Sequence, residues 1–480
     1  MKQVRSVVEA APVQLNRKQT NPRRSLWVAT VSAALAVGAA ITPGHAGVSV
    51  SPDIAYFYAA GAGEGMSVSS DGLVLMVSSP TIGPAGTFTS SVPQAVHAPW
   101  TPEIFFPFAN LQLGQGESTD VAVVPHRLFG LVVVRGDTVN TNHALHVIRG
   151  NQILQSIPIP DSPDGMKVTP DGRYAIVAVE KGGDVRIYDL LLGPGRVRMV
   201  ARVTRAAIAA YFVGVPNPVA EAEPEAVGIA SDSSFALVTI QDCASVAAID
   251  LNAVRWGQWR GLTPEQIGDI ALKNVVHLPY GFIGNNGALF GVEPDGVGIS
   301  PDKSFAILAH EANQRAKHLA GFSVLDLRHG LQNITARTYS AFDVDPSLLA
   351  NTGLAAAPMV APGDPYPADA NKLPRLDVAA SEIVNRCGQV VAGLAIERYD
   401  PSAAQLAASP VNETRGSLLF MDVGQALNGV FSVIDRLPVG VSGARIEVLD
   451  SADHGRWFFV SISNGGGTNG TVARLELQAE

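Results

Sequence analysis

One acidic position recurs in front of a repeated strand signal, and that recurrence constrains this chain more than its composition does. The stretches EGMSVSSDGLVLMVSS from Glu64, DVAVVPHRLFGLVVVRG from Asp120, DGMKVTPDGRYAIVAVE from Asp164, EAVGIASDSSFALVTIQ from Glu225 and DGVGISPDKSFAILAHE from Asp295 align without a gap. Each opens with a carboxylate, runs through a few alternating residues, passes a turn and rises through a second apolar strand. A weaker copy starts at Glu382. A seventh, around Gly443 to Ser463, keeps the turn and second strand (His454 to Val460) but has Ser442 and Gly443 where the acid is expected. Seven units of one supersecondary motif predict an all-β closed radial array of seven four-stranded antiparallel blades. First strands are expected to begin near residues 65, 121, 165, 226, 296, 383 and 443, within about two to four residues. Closure would bring six acids to one mouth of a central channel.

Composition agrees with many short strands. Hydrophobic residues make up 47% and charged residues 16%, enough apolar side chains for a large core, and 47 Gly with 32 Pro supply the turns. Period-2 runs bounded by Gly, Pro, Asp and Asn mark the strands. Third strands end on an aliphatic-Asp-Leu pattern, as in Val185 to Leu190, Val246 to Leu251 and Phe322 to Leu327, with Leu418 to Val423 as the sixth unit's version. Gln152 to Ile159 and Lys273 to Leu278 read as fourth strands. Inserts separate the units. Ser79 to Glu117 is rich in Pro and Phe, Ala341 to Asp377 is rich in Ala and Pro, and Leu262 to Lys273 carries a helix signal. There Thr263 is the N-cap, Pro264 opens the first turn and Gln266 completes a capping box. Residues 47–60 are expected to supply a strand that closes the ring on the last blade.

The first 46 residues read as an export signal. Six bases precede an uncharged apolar run from Leu26 to Ile41, too short to span a bilayer, and Thr42 to Ala46 offers small residues for cleavage. The stretch Asn21 to Leu26, with Arg23 and Arg24, resembles a twin-arginine signal. The expected mature chain is one domain, residues 47–480, periplasmic or secreted, without a membrane span and monomeric. Losing six bases and one acid moves the net charge from −9 to −14. Such a chain repels nucleic acid and suits cationic partners or metal ions. Export permits a disulfide, but Cys243 and Cys387 fall at opposite ends of blades two repeats apart, and free thiols are expected.

The repeats resemble the YVTN-type seven-bladed β-propellers, the group with lactonase-like and amine-dehydrogenase-like exported proteins. Pro163-Asp164-Gly165 with Thr169 to Tyr174, Glu223-Pro224-Glu225 with Ala236 to Thr239, and Glu293 to Gly296 with Ser300-Pro301-Asp302 carry the resemblance. It covers most of residues 60–477, broken by the inserts. It speaks for fold more than function, because such propellers host many activities.

Two columns of residues are expected at one channel face. The first is Glu64, Asp120, Asp164, Glu225, Asp295 and Glu382. The second, at the ends of second strands, is Glu180, Gln241, Glu311 and Glu397, with Asp242, His310 and Asn313 nearby. Clustered carboxylates with amide oxygens suit a hard cation, and calcium is the expected one. Crowded like charges also raise pKa values and supply a general base. Against this, an acid at a Pro-Asp-Gly entry often caps its own turn, and a His at a strand end is often only hydrogen-bonded. His143 and His146 would face opposite sides of a regular strand. No nucleophile elbow, zinc-protease helix, Walker loop or haem attachment motif is present. The glycine run from Asn464 to Gly470 reads as a hairpin turn. The sequence supports two readings: a binding propeller that takes a ligand, cation or protein partner at an acidic channel face, and a calcium-dependent hydrolase of the lactonase or phosphoesterase kind.

Overall fold

The second strand of the third repeat shows why this sequence closes into a ring. Every residue of Tyr174–Val179 is buried. Tyr174, Ile176 and Ala178 pack towards the fourth repeat, and Ala175, Val177 and Val179 towards the second. A strand covered on both faces reads as a continuous apolar run rather than an alternating one. The computed structural model describes residues 47–51, 55–58, 65–82, 88–97, 105–137, 141–212, 222–278, 282–283, 289–290, 293–311, 321–340, 375–399, 417–438, 444–464 and 471–479.

Seven antiparallel sheets succeed one another in sequence order. The first strands of blades 1 to 7 are Met66–Val68, Glu117–Val123, Pro163–Val168, Pro224–Ile229, Glu293–Ile299, Arg375–Arg386 and Ala444–Ala452. They touch their neighbours in order, and blade 1 meets blade 7 to close the ring. Among the described residues, seven hydrophobic clusters fill the seven gaps between neighbouring sheets. The protein is therefore a seven-bladed β-propeller. Blade 6 starts at Arg375, well before the expected 383, because its first two strands form a long hairpin, 375–386 with 389–399.

The Pro- and Phe-rich insert builds most of blade 1, as Ser79–Ile82, Phe88–His97 and Phe105–Gln115. The helix signal gives Pro264–Ala271 with the Thr263/Gln266 capping box in place. A second helix, Leu251–Arg260, continues from the third strand of blade 4, and Asp250 caps it by accepting from Asn252 N and Ala253 N. Strands Trp457–Asn464 and Thr471–Ala479 flank the glycine run as a hairpin, and residues 465–470 lie outside the described set. Val48–Val50 and Ala55–Tyr58 both pair with Thr471–Ala479, so the start of the described chain completes the last blade. Cys243 is buried, Cys387 is exposed, and neither is in a disulfide.

Candidate functional site

In blades 2 to 7 the top of the first strand is kinked in the same place. Pro163, Pro224 and Pro294 cannot donate to the ladder, and the next residue bulges out of register. Equivalent shifts occur at Ser118/Asp120, Val378/Ala380 and Ile446/Val448. The bulge position is Thr119, Asp164, Glu225, Asp295, Ala379 and Glu447 in blades 2 to 7. The seventh unit thus carries its acid after all, at Glu447, four residues beyond the position read from the sequence. In blades 4 and 7 a hydroxyl on the second strand takes up the backbone N–H freed by the bulge, and in blade 1 the Ser78 hydroxyl does the same for Gly65 at the matching level. Gly65 N donates to Ser78 Oγ, Ala226 N to Thr239 Oγ1 and Val448 N to Ser461 Oγ.

Asp120 sits one residue deeper than the gapless alignment places it, because the turn from Val124 to Phe129 matches the turn from Thr169 to Tyr174. It is level with Gly65 and Gly165, where neighbouring first strands almost touch. A Cβ at Gly165 would lie 2.2 Å from the carbonyl oxygen of Glu225, so no other residue fits. The Asp120 carboxyl fills this seam. Its Oδ1 accepts from Val121 N at 2.7 Å and its Oδ2 from Met166 N of blade 3 at 2.7 Å. Burial outweighs both bonds and the nearby Lys167 ammonium, and pushes Asp120 up to about 8.

A cavity of about 420 Å³ opens at this mouth. Asp120, Asp164, Glu180, Glu225, Gln241 and Asp295 line it, joined by Thr119, Arg135 and Lys167. Six of the thirteen expected residues therefore come together. Burial pushes Asp164 up to about 6; Arg135 pulls it down, and Glu180 and Glu117 push it further up. Arg135 occupies in blade 2 the place that Glu180 has in blade 3. It lies 2.6 Å from Glu117 and 3.4 Å from Glu180. Burial works against its charge, but these carboxylates and Asp164 outweigh that and hold it above the usual range.

Glu382 lies one tier below. Its register, opposite Gly393, is that of Lys167 opposite Ile176 and of Asp450 opposite Phe459. These three residues form an inner ion cluster. Lys167 Nζ stands 3.8 Å from Glu382 Oε2 and keeps about a third of its side chain open to the channel, 37%. Ser451 Oγ donates to Glu382 Oε1 at 2.8 Å, while Val68 N and Ser451 N donate to Asp450. Burial pushes both carboxyls up, and Lys167 pulls both down. Burial also pulls down the Lys167 amine, but Glu382, Asp450 and Asp120 outweigh it and keep it charged.

The remaining expected residues are His310, Glu311, Glu397, Asp242, Glu64 and Asn313. His310 is fully buried within blade 5, where its Nε2 meets Ser323 Oγ at 2.7 Å. The backbone register puts Glu311 opposite Glu293 and Glu397 opposite Asp377, the places matching Glu180. Asp242 falls in the short 3-10 turn Gln241–Cys243. Glu64 and Asn313 lie outside the described residues. Among the described residues, no three His, Cys, Asp or Glu groups stand close enough to hold a metal ion. His143 accepts from Gly136 N, and His146 meets Ser156, so these two serve their own blade.

Sequence reasoning missed Arg135, Lys167, Glu447 and Asp450. Arg135 and Glu447 become visible once the repeats are aligned on their turns. No family model and no curated protein matches this chain. Among solved structures it is similar to Kuenenia stuttgartiensis hydrazine synthase, at 13% identity over 84% of this chain and 96% of that one, with a TM-score of 0.48. The propeller assignment rests on the chain's own sheet order.

Proposed function

We propose that this protein is an exported binding propeller whose channel cavity takes a small cationic ligand. One observation carries the reading: among the described residues five acids and two bases line the cavity, and both of those bases are already engaged. Arg135 is held by Glu117 and Glu180, and Lys167 faces Glu382. Asp164, Glu225 and Asp295 come from consecutive bulges, which spreads negative charge along one wall. Dispersed acids with the Gln241 amide suit an organic ammonium, which is met by separate acceptors rather than a tight coordination shell. Calcium is the second cation to test, since oxygen-only walls suit it too. The export signal in residues 1–46 belongs to this reading as a cleavable leader.

Calorimetric titration of the purified protein with a panel of alkyl- and aryl-ammonium compounds, and separately with calcium, tests the proposal. A Glu225→Gln/Asp295→Asn variant should weaken the best cation by about tenfold or more. Equal affinity in the variant, or no binding across both panels, removes the proposal. The hydrolase reading has one observation in its favour. Asp120 lines the cavity with a carboxyl near 8, poised to exchange a proton at working pH. Turnover of a lactone, ester or phosphoester that Asp120→Asn abolishes would make the second reading the better one.

A further inference from the structure

First strands run from the cavity mouth down to the tight turns, and third strands end on that same far side. The connections between third and fourth strands therefore emerge on the face opposite the cavity. In blade 3 this connection is Leu190 to Arg198, and in blade 4 it contains the helix Leu251–Arg260. Neither the blade 3 connection nor the helix Leu251–Arg260 holds an acidic residue, and the acids of the blade 4 connection, Glu265 and Asp269, lie in the following helix Pro264–Ala271.

The two segments are tied together. Asp189 accepts from Leu191 N at 2.9 Å through Oδ1 and from Gln258 Nε2 at 2.8 Å through Oδ2. The loop is built rather than slack: Gly193 N donates to Leu190 O, and Arg196 N donates to Gly193 O, each at 3.1 Å. It nevertheless turns Leu191 and Leu192 outward. On the helix that Gln258 ties to this loop, Trp256 and Trp259 stand exposed, Trp259 to 78%. The Arg260 guanidinium lies 5.4 Å from one indole and 5.8 Å from the other. Leu128, 85% exposed on the turn of blade 2, opens on the same face. Large apolar side chains held out by a hydrogen-bonded scaffold mark an interaction surface. Indole and leucine rimmed by arginine fit the interface of an anionic bilayer, where the rings sit at headgroup depth and the guanidiniums meet phosphates.

We propose that this face seats the propeller on an anionic lipid surface, with Leu191, Leu192, Trp256 and Trp259 entering the interface and Arg196 and Arg260 meeting the headgroups. The acidic net charge does not prevent this. Exposed charges are screened beyond about 8 Å at physiological ionic strength, so local side chains govern the contact, and the turn acids Asp171 and Asp232 on this face are already paired with Arg255 and Lys303. The acidic cavity then faces away from the bilayer, open to a soluble ligand.

Co-sedimentation of the purified protein with phosphatidylglycerol–phosphatidylcholine vesicles, and with phosphatidylcholine alone, tests the proposal. The protein should pellet with the first and not the second, with a blue shift in tryptophan emission. Leu191→Ser/Leu192→Ser should weaken binding about tenfold or more, and Arg196→Gln/Arg260→Gln about tenfold with a flatter salt dependence. Trp259→Ser is the second variant if the leucine pair disturbs the loop, which an unchanged melting midpoint checks. Failure to pellet with either vesicle, equal pelleting with both, or undiminished binding by the variants overturns the proposal. So does a concentration-dependent dimer that the leucine pair dissolves, since the face would then seat a second copy of the chain.

Discussion

Asp120 ties the protein's stability to pH. Its carboxyl titrates near 8 in the folded chain and near 3.8 when exposed. Between those values the native state holds a proton that the unfolded state has lost, so stability falls as pH rises. The contribution is complete below about 4 and gone above about 8. The melting midpoint should drop between pH 5 and 9, and Asp120→Asn should flatten that slope, a difference of about 4 kcal/mol at about 1.4 kcal/mol per pH unit from 5 to 8. An unchanged slope in the variant would mean that water reaches the seam beside Gly65 and Gly165. Asp164, near 6, adds an earlier step of the same sign. At this scale the sequence was partly legible. Asp164, Glu225 and Asp295 declare themselves by their place after a proline at the head of a repeat. Lys167 does not, because its partners Glu382 and Asp450 are more than two hundred residues away and meet it only when the ring closes.

One buried carboxylate anchors blade 3, which supplies part of the cavity wall. Asp184, 1% exposed, receives two hydrogen bonds from Arg186 on its own strand, and Arg202 on the fourth strand pairs with it. Removing the charge from such a cluster leaves two guanidiniums without their counter-ion. Asp184→Asn should therefore cost about 3 kcal/mol in chemical unfolding. Thr263→Ala, which removes only the cap of the short helix packed on that fourth strand, should cost about 1 kcal/mol. Equal costs would mean the ion cluster contributes no more than a cap. The capped helix was legible because its signal is local: Thr263, Pro264 and Gln266 lie within four residues. The neighbouring helix 251–260 was not. Its cap, Asp250, also completes the aliphatic-Asp-Leu strand ending that the other blades share, and only the residues after Leu251 distinguish a helix start from a plain strand end. The early start of blade 6 was hidden in the same way, since Arg375 comes directly after a stretch rich in Ala and Pro.

A ring of sheets has no edge only if its last sheet is complete, and here that depends on residues far from blade 7 in sequence. Trp457–Asn464 and Thr471–Ala479 are joined by Val48–Val50, paired as Val48 with Ala479 and Val50 with Leu477, and by Ala55–Tyr58. Val48 and Val50 are buried in the cluster between blades 6 and 7, and Val48 N donates to Gln389 Oε1 of blade 6 at 3.0 Å. The blade count and this closing segment were legible because a repeat motif implies closure, and closure implies a strand from one end of the chain. Removing residues 47–58 takes away two buried valines and a row of ladder hydrogen bonds, and leaves 471–479 as an open edge able to pair with another chain. Burial of the two valines alone is worth about 3–6 kcal/mol. The truncated protein should melt well below the whole chain and scatter light on warming. Adding a peptide of residues 47–58 should restore the midpoint by refilling the edge. An unshifted midpoint on truncation would show that the ring holds without this strand, and that inter-blade packing alone closes it.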